Sequence, residues 1–166
     1  MPLSRCYGVQ ATTVTTLITN NYSKLSVISK QYSKENIMSK HFFIKFVTSP
    51  DVDPLKCLVG LGCAAQAIND GHKVDIFFAA AAVQMLHAEY LSKLEKAIDA
   101  PAGMSQSFIE TIKKGADGIH CSTQSQAHFG VSEDSPEALI DGVNLNWSGP
   151  PGVIALAANA DITMMY

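Results

Sequence analysis

Positive charge is scarce in most of this 166-residue chain. Residues 38–166 carry 8 basic residues against 14 acidic ones, a net charge of −6 that makes a poor binder of phosphate backbones, so no nucleic-acid partner is expected. Long apolar runs are missing too. Stretches such as Leu58–Ala65 and Ile76–Met85 fall well short of the ~18 uninterrupted residues a membrane span needs, so no membrane partner is expected. Cysteine is sparse: Cys6, Cys57, Cys63 and Cys121 are irregularly spaced, and no charged start, continuous apolar stretch and small-residue cleavage site precedes them. That pattern speaks against a disulfide framework and for a reducing compartment, with the cytoplasm as the expected location. No strand is followed by Gly-x-Gly-x-x-Gly, since Gly60-Leu61-Gly62 falls inside a helix. Cys121 and His128 lack the clustered partners of a zinc site. No metal or cofactor is expected.

What is present suits one folded domain. Hydrophobic residues make up 47% of the chain, enough for a real core at this length. Residues 1–37 stand apart, rich in Ser, Thr, Asn and Tyr and nearly free of acid. They read as an extension outside the core: a disordered arm, a transit peptide, or an upstream extension before a natural start at Met38. Residues 38–166 form the expected α/β domain.

Strand and helix alternate regularly from residue 41. His41–Thr48 reads as a strand, and Asp53-Pro54 supplies an N-cap and a first-turn proline for a helix running to Asp70. Gly71 ends it. His72–Phe78 is the second strand, followed by one alanine-rich helix from about Ala80 to Lys96 and a loop over Ala97–Ser105. Ser107 and Glu110 form a capping box for a short helix closed by Gly115 or Gly118. Gly118–Cys121 is strand three, with a polar helix after it to about Gly130. Ser135-Pro136-Glu137 signals another short helix. Val143–Trp147 is strand four, Pro150–Ala160 a small-residue helix, and Asp161–Tyr166 strand five. The fold class is therefore α/β: a three-layer sandwich with a five-stranded, mainly parallel sheet and helices on both faces.

In such sheets ligands gather where strands meet their following loops, beside a change in winding direction. Cys121 falls there, before a polar helical turn whose free N–H groups favour thiolate over thiol. Thr48 and Ser49 after strand one and Trp147 after strand four are expected to join it in one pocket, with Ser122 and Thr123 supporting the sulfur anion. His128 is a possible proton carrier. Strand alternation turns His120 to the opposite face from Cys121. Cys57 and Cys63, six residues apart on one helix, sit about 240° apart at ~100° per residue and cannot pair. Core packing is their default, although Cys57, in the first turn, is also a candidate second relay thiol. Gly60 and Gly62 imply close approach of another backbone, from the same subunit or a neighbour.

The opening strand, the Asp-Pro helix start, Gly71-His72-x-Val74, Gly118-Ile119-x-Cys121-Ser122, Gly130-Val131, Gly142–Leu145 and Ala160–Thr163, taken in order, resemble the DsrE/DsrF-like sulfur-relay family over about residues 41–166. The resemblance implies a three-layer α/β sandwich, assembly into small oligomers, and a persulfide carried on Cys121. Sulfur-donor and sulfur-acceptor proteins or small sulfur compounds would then be the partners, and a homo-oligomer the working form. Relatives often have basic residues where this chain has Gln124–Phe129. The alternative is a non-catalytic oligomeric binding or assembly subunit, with a small-ligand pocket at the strand C-terminal ends and an incidental Cys121.

Overall fold

The computed structural model describes residues 38–132, 134 and 138–166. Residues 1–37 and the helix signal at Ser135-Pro136-Glu137 lie outside the described residues. Ser39–Tyr166 forms one compact unit. Its elements are β1 (His41–Phe46), α1 (Pro54–Asn69), β2 (Lys73–Phe78), a 3-10 helix (Ala80–Leu86), α2 (Ala88–Ala97), α3 (Met104–Gly115), β3 (Gly118–Ser122), α4 (Thr123–Phe129), β4 (Asn146–Ser148), α5 (Pro150–Asn159) and β5 (Ile162–Met165). The sheet has the order β4-β3-β2-β1-β5, and every pairing is parallel.

Alternation along the strands sorts the side chains to two faces. Ile44, Phe46, Val74, Ile76, Phe78, Ile119 and Cys121 point to one face and join α1, the 3-10 helix, α2 and α3 in a single buried cluster. Phe43, Asp75, Phe77 and His120 point to the other. The chain steps from β1 to β4 in one direction, then returns across the whole sheet to β5, so right-handed crossovers put α5 on the second face. A ten-residue helix is about 15 Å long, whereas four strand spacings span about 19 Å. The second layer is thin, and α5 has no buried residue.

Local signals explain most element ends. Asp53 caps α1 by accepting the Lys56 N–H at 2.9 Å, with Pro54 in the first turn. Gly130 closes α4 in the left-handed region at φ +67°. Gly60 lets α1 settle onto the sheet: a Cβ there would lie 2.7 Å from Tyr166 Cγ and against Phe46. The close approach at Gly60 is thus made within this unit.

Three expectations needed correction. The single helix over Ala80–Lys96 is split at His87, whose extended backbone bridges Leu139 while Ile140 N–H donates to Leu86 O at 2.9 Å. Helix α3 starts three residues before the expected capping box. Its first N–H groups are held by Glu95 of α2, which accepts from Gly103 N at 2.9 Å, Ser105 N at 2.7 Å and the Ser105 hydroxyl. Strand β4 is shorter and later than Val143–Trp147. Gly142, at φ +67°, and the Val143 N–H bond to Ile140 O form a turn, and β3 offers β4 only His120–Ser122 before Ser122 becomes a helix cap.

Candidate functional site

The strand ends hold two groups of the expected site residues, kept apart by β2. On one side, β3 and β4 align Cys121 with Trp147 and Ser122 with Ser148, and the Thr123 hydroxyl donates to Ser148 O at 3.4 Å. On the other side, the Cys57 thiol donates to Thr48 O at 3.5 Å, next to Ser49. Since β2 lies between β1 and β3, the two groups are about 10 Å apart at the usual strand spacing. His128 is in the last turn of α4 and exposed, and neither it nor Cys57 is bonded to Cys121. A cavity of about 220 Å³ opens elsewhere, lined by Leu91, Gln106, Glu110, Lys113, Ile140 and Asp141 among others, with none of the strand-end residues in its wall.

The setting of Cys121 differs from the sequence expectation. Its exposure is 0%, and the thiol lies in the same apolar cluster as Phe78, Met85, Val131 and Ile140. Burial pushes it up to about 12. A strand-end thiol can gain from a helix N-terminus only if it faces the free N–H groups. Here Ser122 takes that place: its hydroxyl accepts the Ser125 N–H at 3.2 Å, and the Cys121 side chain turns inward. Cys57 is also buried and pushed up to about 11, chiefly by burial and then by the nearby Asp53 carboxylate. Cys57, Cys63 and Cys121 are all free thiols.

On the opposite face, His120 is where alternation predicts. Its ring stacks on Phe77 at 6.1 Å, and its Nε2 lies 3.3 Å from Asp75 Oδ1. The other carboxylate oxygen of Asp75 is 2.7 Å from His41 Nε2. Gly118 makes room for this, since a Cβ there would come within 2.5 Å of both Asp75 Oδ1 and His120 Nε2. Sequence reading missed the pairing because it joins three strands. Among the described residues no cluster of three or more His, Cys, Asp or Glu is suited to hold a metal ion.

Sequence reading also missed Ser125. Its hydroxyl accepts the Ala80 N–H at 2.9 Å and lies 3.1 Å from Ser122 Oγ, joining the end of β2 to the first turn of α4. A serine at the N-cap, Ser122, is the local signal; the Ser125 bond to Ala80 spans 45 residues and leaves no local trace.

The DsrE/DsrF-like family model matches residues 40–165. The chain belongs to the DsrE/DsrF-like family. Among solved structures, the ychN protein from E. coli is similar, with a TM-score of 0.54 at 14% identity, covering 78% of this chain and 100% of that one. BT1422, a conserved protein of unknown function from Bacteroides thetaiotaomicron, has a TM-score of 0.48 at 18% identity, covering 79% of this chain and 100% of its own. No curated protein matches. At these identities the ychN likeness bears on the fold alone, and it agrees with the three-layer α/β sandwich of this DsrE/DsrF-like chain. Among the described residues no helix is long and apolar enough to cross a membrane.

Proposed function

We propose that this chain acts in sulfur relay, with Cys121 as the residue that carries the sulfur. Family membership over residues 40–165 supports the class of function. The observation that carries the residue is the position of Cys121 at the C-terminal end of β3, an inner strand of the sheet, one residue before the Ser122 cap of α4. The chemistry balances without a cofactor. The Cys121 thiolate attacks the outer sulfur of a donor persulfide, forming Cys121–S–SH and releasing the donor thiolate. An acceptor thiolate then attacks that outer sulfur, takes it away and returns Cys121 as thiolate. Ser122 and Thr123 flank the persulfide, and Trp147 walls it from β4. Cys57 beside Thr48 and Ser49 lies across β2 as the candidate second relay thiol, reached only after uncovering, and the exposed His128 is the candidate proton carrier.

Burial sets a condition on this chemistry. A thiol pushed up to about 12 is ionised to only about one part in 10⁵ at pH 7, against roughly 3% for a free thiol, so Cys121 must be uncovered to react. A second reading is favoured by that same burial: an oligomeric binding or assembly subunit in which Cys121 is only core. Either form suits a homo-oligomer, because Ile154 (69% exposed) and Met165 (60% exposed) leave apolar surface on α5 and β5, and the unpaired thiols of Cys57, Cys63 and Cys121 suit the reducing cytoplasm.

Intact-mass and peptide mass spectrometry after incubation with a sulfane-sulfur donor separates the two. The relay reading expects one added sulfur on Cys121, removable by a thiol acceptor and absent from Cys121→Ser. No added sulfur on Cys121 refutes it in favour of the assembly reading.

A further inference from the structure

We propose that the 3-10 helix and α4 form a hinged cover over Cys121, with the Ser125 hydroxyl as its latch. The inference deepens the sulfur-relay reading, and rests on it only for the purpose of the opening. Phe78 and Cys121 are register partners at the ends of β2 and β3, and their chains leave the sheet into the 3-10 helix and α4. Those two helices pack on each other and on β3. Three hydrogen bonds meet at the latch: Ala80 N–H donates to Ser125 Oγ at 2.9 Å, Ser125 Oγ–H to Ser122 Oγ at 3.1 Å, and Ser125 N–H to the same Ser122 oxygen at 3.2 Å. Only the first ties the two helices together. Ala80 is exposed, so water competes for that bond.

The closed arrangement carries two costs that opening would relieve. Ala80 has φ +50°, a left-handed backbone unfavourable for an L-residue with a Cβ. Gln126, the residue after the latch, buries its Oε1 with no hydrogen-bond partner among the described residues, an arrangement that favours any state admitting water. Beneath lies a thiol with 0% exposure. Helix α4, which buries no residue of its own, holds an orphaned acceptor and is latched by a hydroxyl at its rim, so it parts from the 3-10 helix, whose Val83, Met85 and Leu86 stay in the core, more readily than that core unfolds.

The test is iodoacetamide labelling of Cys121 in the folded full chain, read by peptide mass spectrometry. Ser125→Ala should label about tenfold faster than wild type, as expected for loss of hydrogen bonds of ordinary net strength, and Ser125→Thr should restore the slow rate. Gln126→Leu, which removes the orphaned oxygen, should label several-fold slower. In the wild type, labelling well below the urea midpoint should depend on urea less steeply than global unfolding does. Equal rates in wild type, Ser125→Ala and Gln126→Leu, or a wild-type urea dependence as steep as global unfolding, would overturn the proposal. Labelling reports exposure and not sulfur uptake, so a chain that passes this test and fails the sulfane-donor test loses only the relay reading.

Discussion

Replacing Gly60 by alanine should destabilise the domain, although alanine is the better helix former. In the middle of α1 the exchange gains about 1 kcal/mol of helix propensity. Against that, the new Cβ lies 2.7 and 2.9 Å from Tyr166 Cγ and Cδ2, and closer still to Phe46, where carbon atoms rest at about 3.5–4.0 Å. Phe46 cannot retreat: it is fully buried and stacked between Phe78 at 5.0 Å and Tyr166 at 5.8 Å. The half-buried Tyr166 must swing outward, losing a ring contact worth about 0.5–1.5 kcal/mol on top of about 1–3 kcal/mol for overpacking. The net is a loss of about 0.5–3.5 kcal/mol. Gly62, two residues on, meets only Phe108 at 3.4 Å, so Gly62→Ala should gain about 0.5 kcal/mol. Urea unfolding followed by far-ultraviolet dichroism reads both, the Gly60→Ala midpoint falling by roughly 0.3–1.7 M at a slope of about 2 kcal/mol/M. Equal signs for the two variants, or an unchanged Gly60→Ala midpoint, would refute the close packing of α1 on β1 and Tyr166.

Glu95 predicts an acid dependence. The Ser105 hydroxyl, with the backbone N–H groups of Gly103, Ser105 and Gln106, holds its carboxyl below the usual range against the opposing effect of burial. Its contribution to stability is therefore present above the unfolded value of about 4.3 and is lost as pH falls through the lower folded value. Glu95→Gln should cost about 1–3 kcal/mol at pH 7 and flatten the acid limb of a urea-midpoint profile; equal midpoints at pH 7 would show that α3 needs no such cap. Light scattering at micromolar concentration should give a multiple of 17.8 kDa, and a strictly monomeric mass would show that the apolar surface around Ile154 and Met165 is tolerated in solution.

The order of strands and helices, and the side of the sheet each strand residue faces, were legible in the sequence. Those features rest on short-range rules: period-two alternation sends His120 and Cys121 to opposite faces, Asp53-Pro54 opens α1, and Gly130 closes α4. The family was legible as well, because its motifs follow one another along the chain. What only tertiary structure decided involves partners far apart in sequence. Ala80–Lys96 reads as one helix until Leu139 and Ile140 pair across His87. The α3 cap comes from Glu95 because the loop folds back on α2. Above all, proximity to a helix N-terminus suggested an ionised Cys121, whereas its place in the apolar cluster with Phe78, Met85, Val131 and Ile140 withdraws the thiol from solvent. A thiol's acidity follows the dielectric and the groups around it, and here these include Phe78 and Met85, some 40 residues away, which no local pattern places beside Cys121.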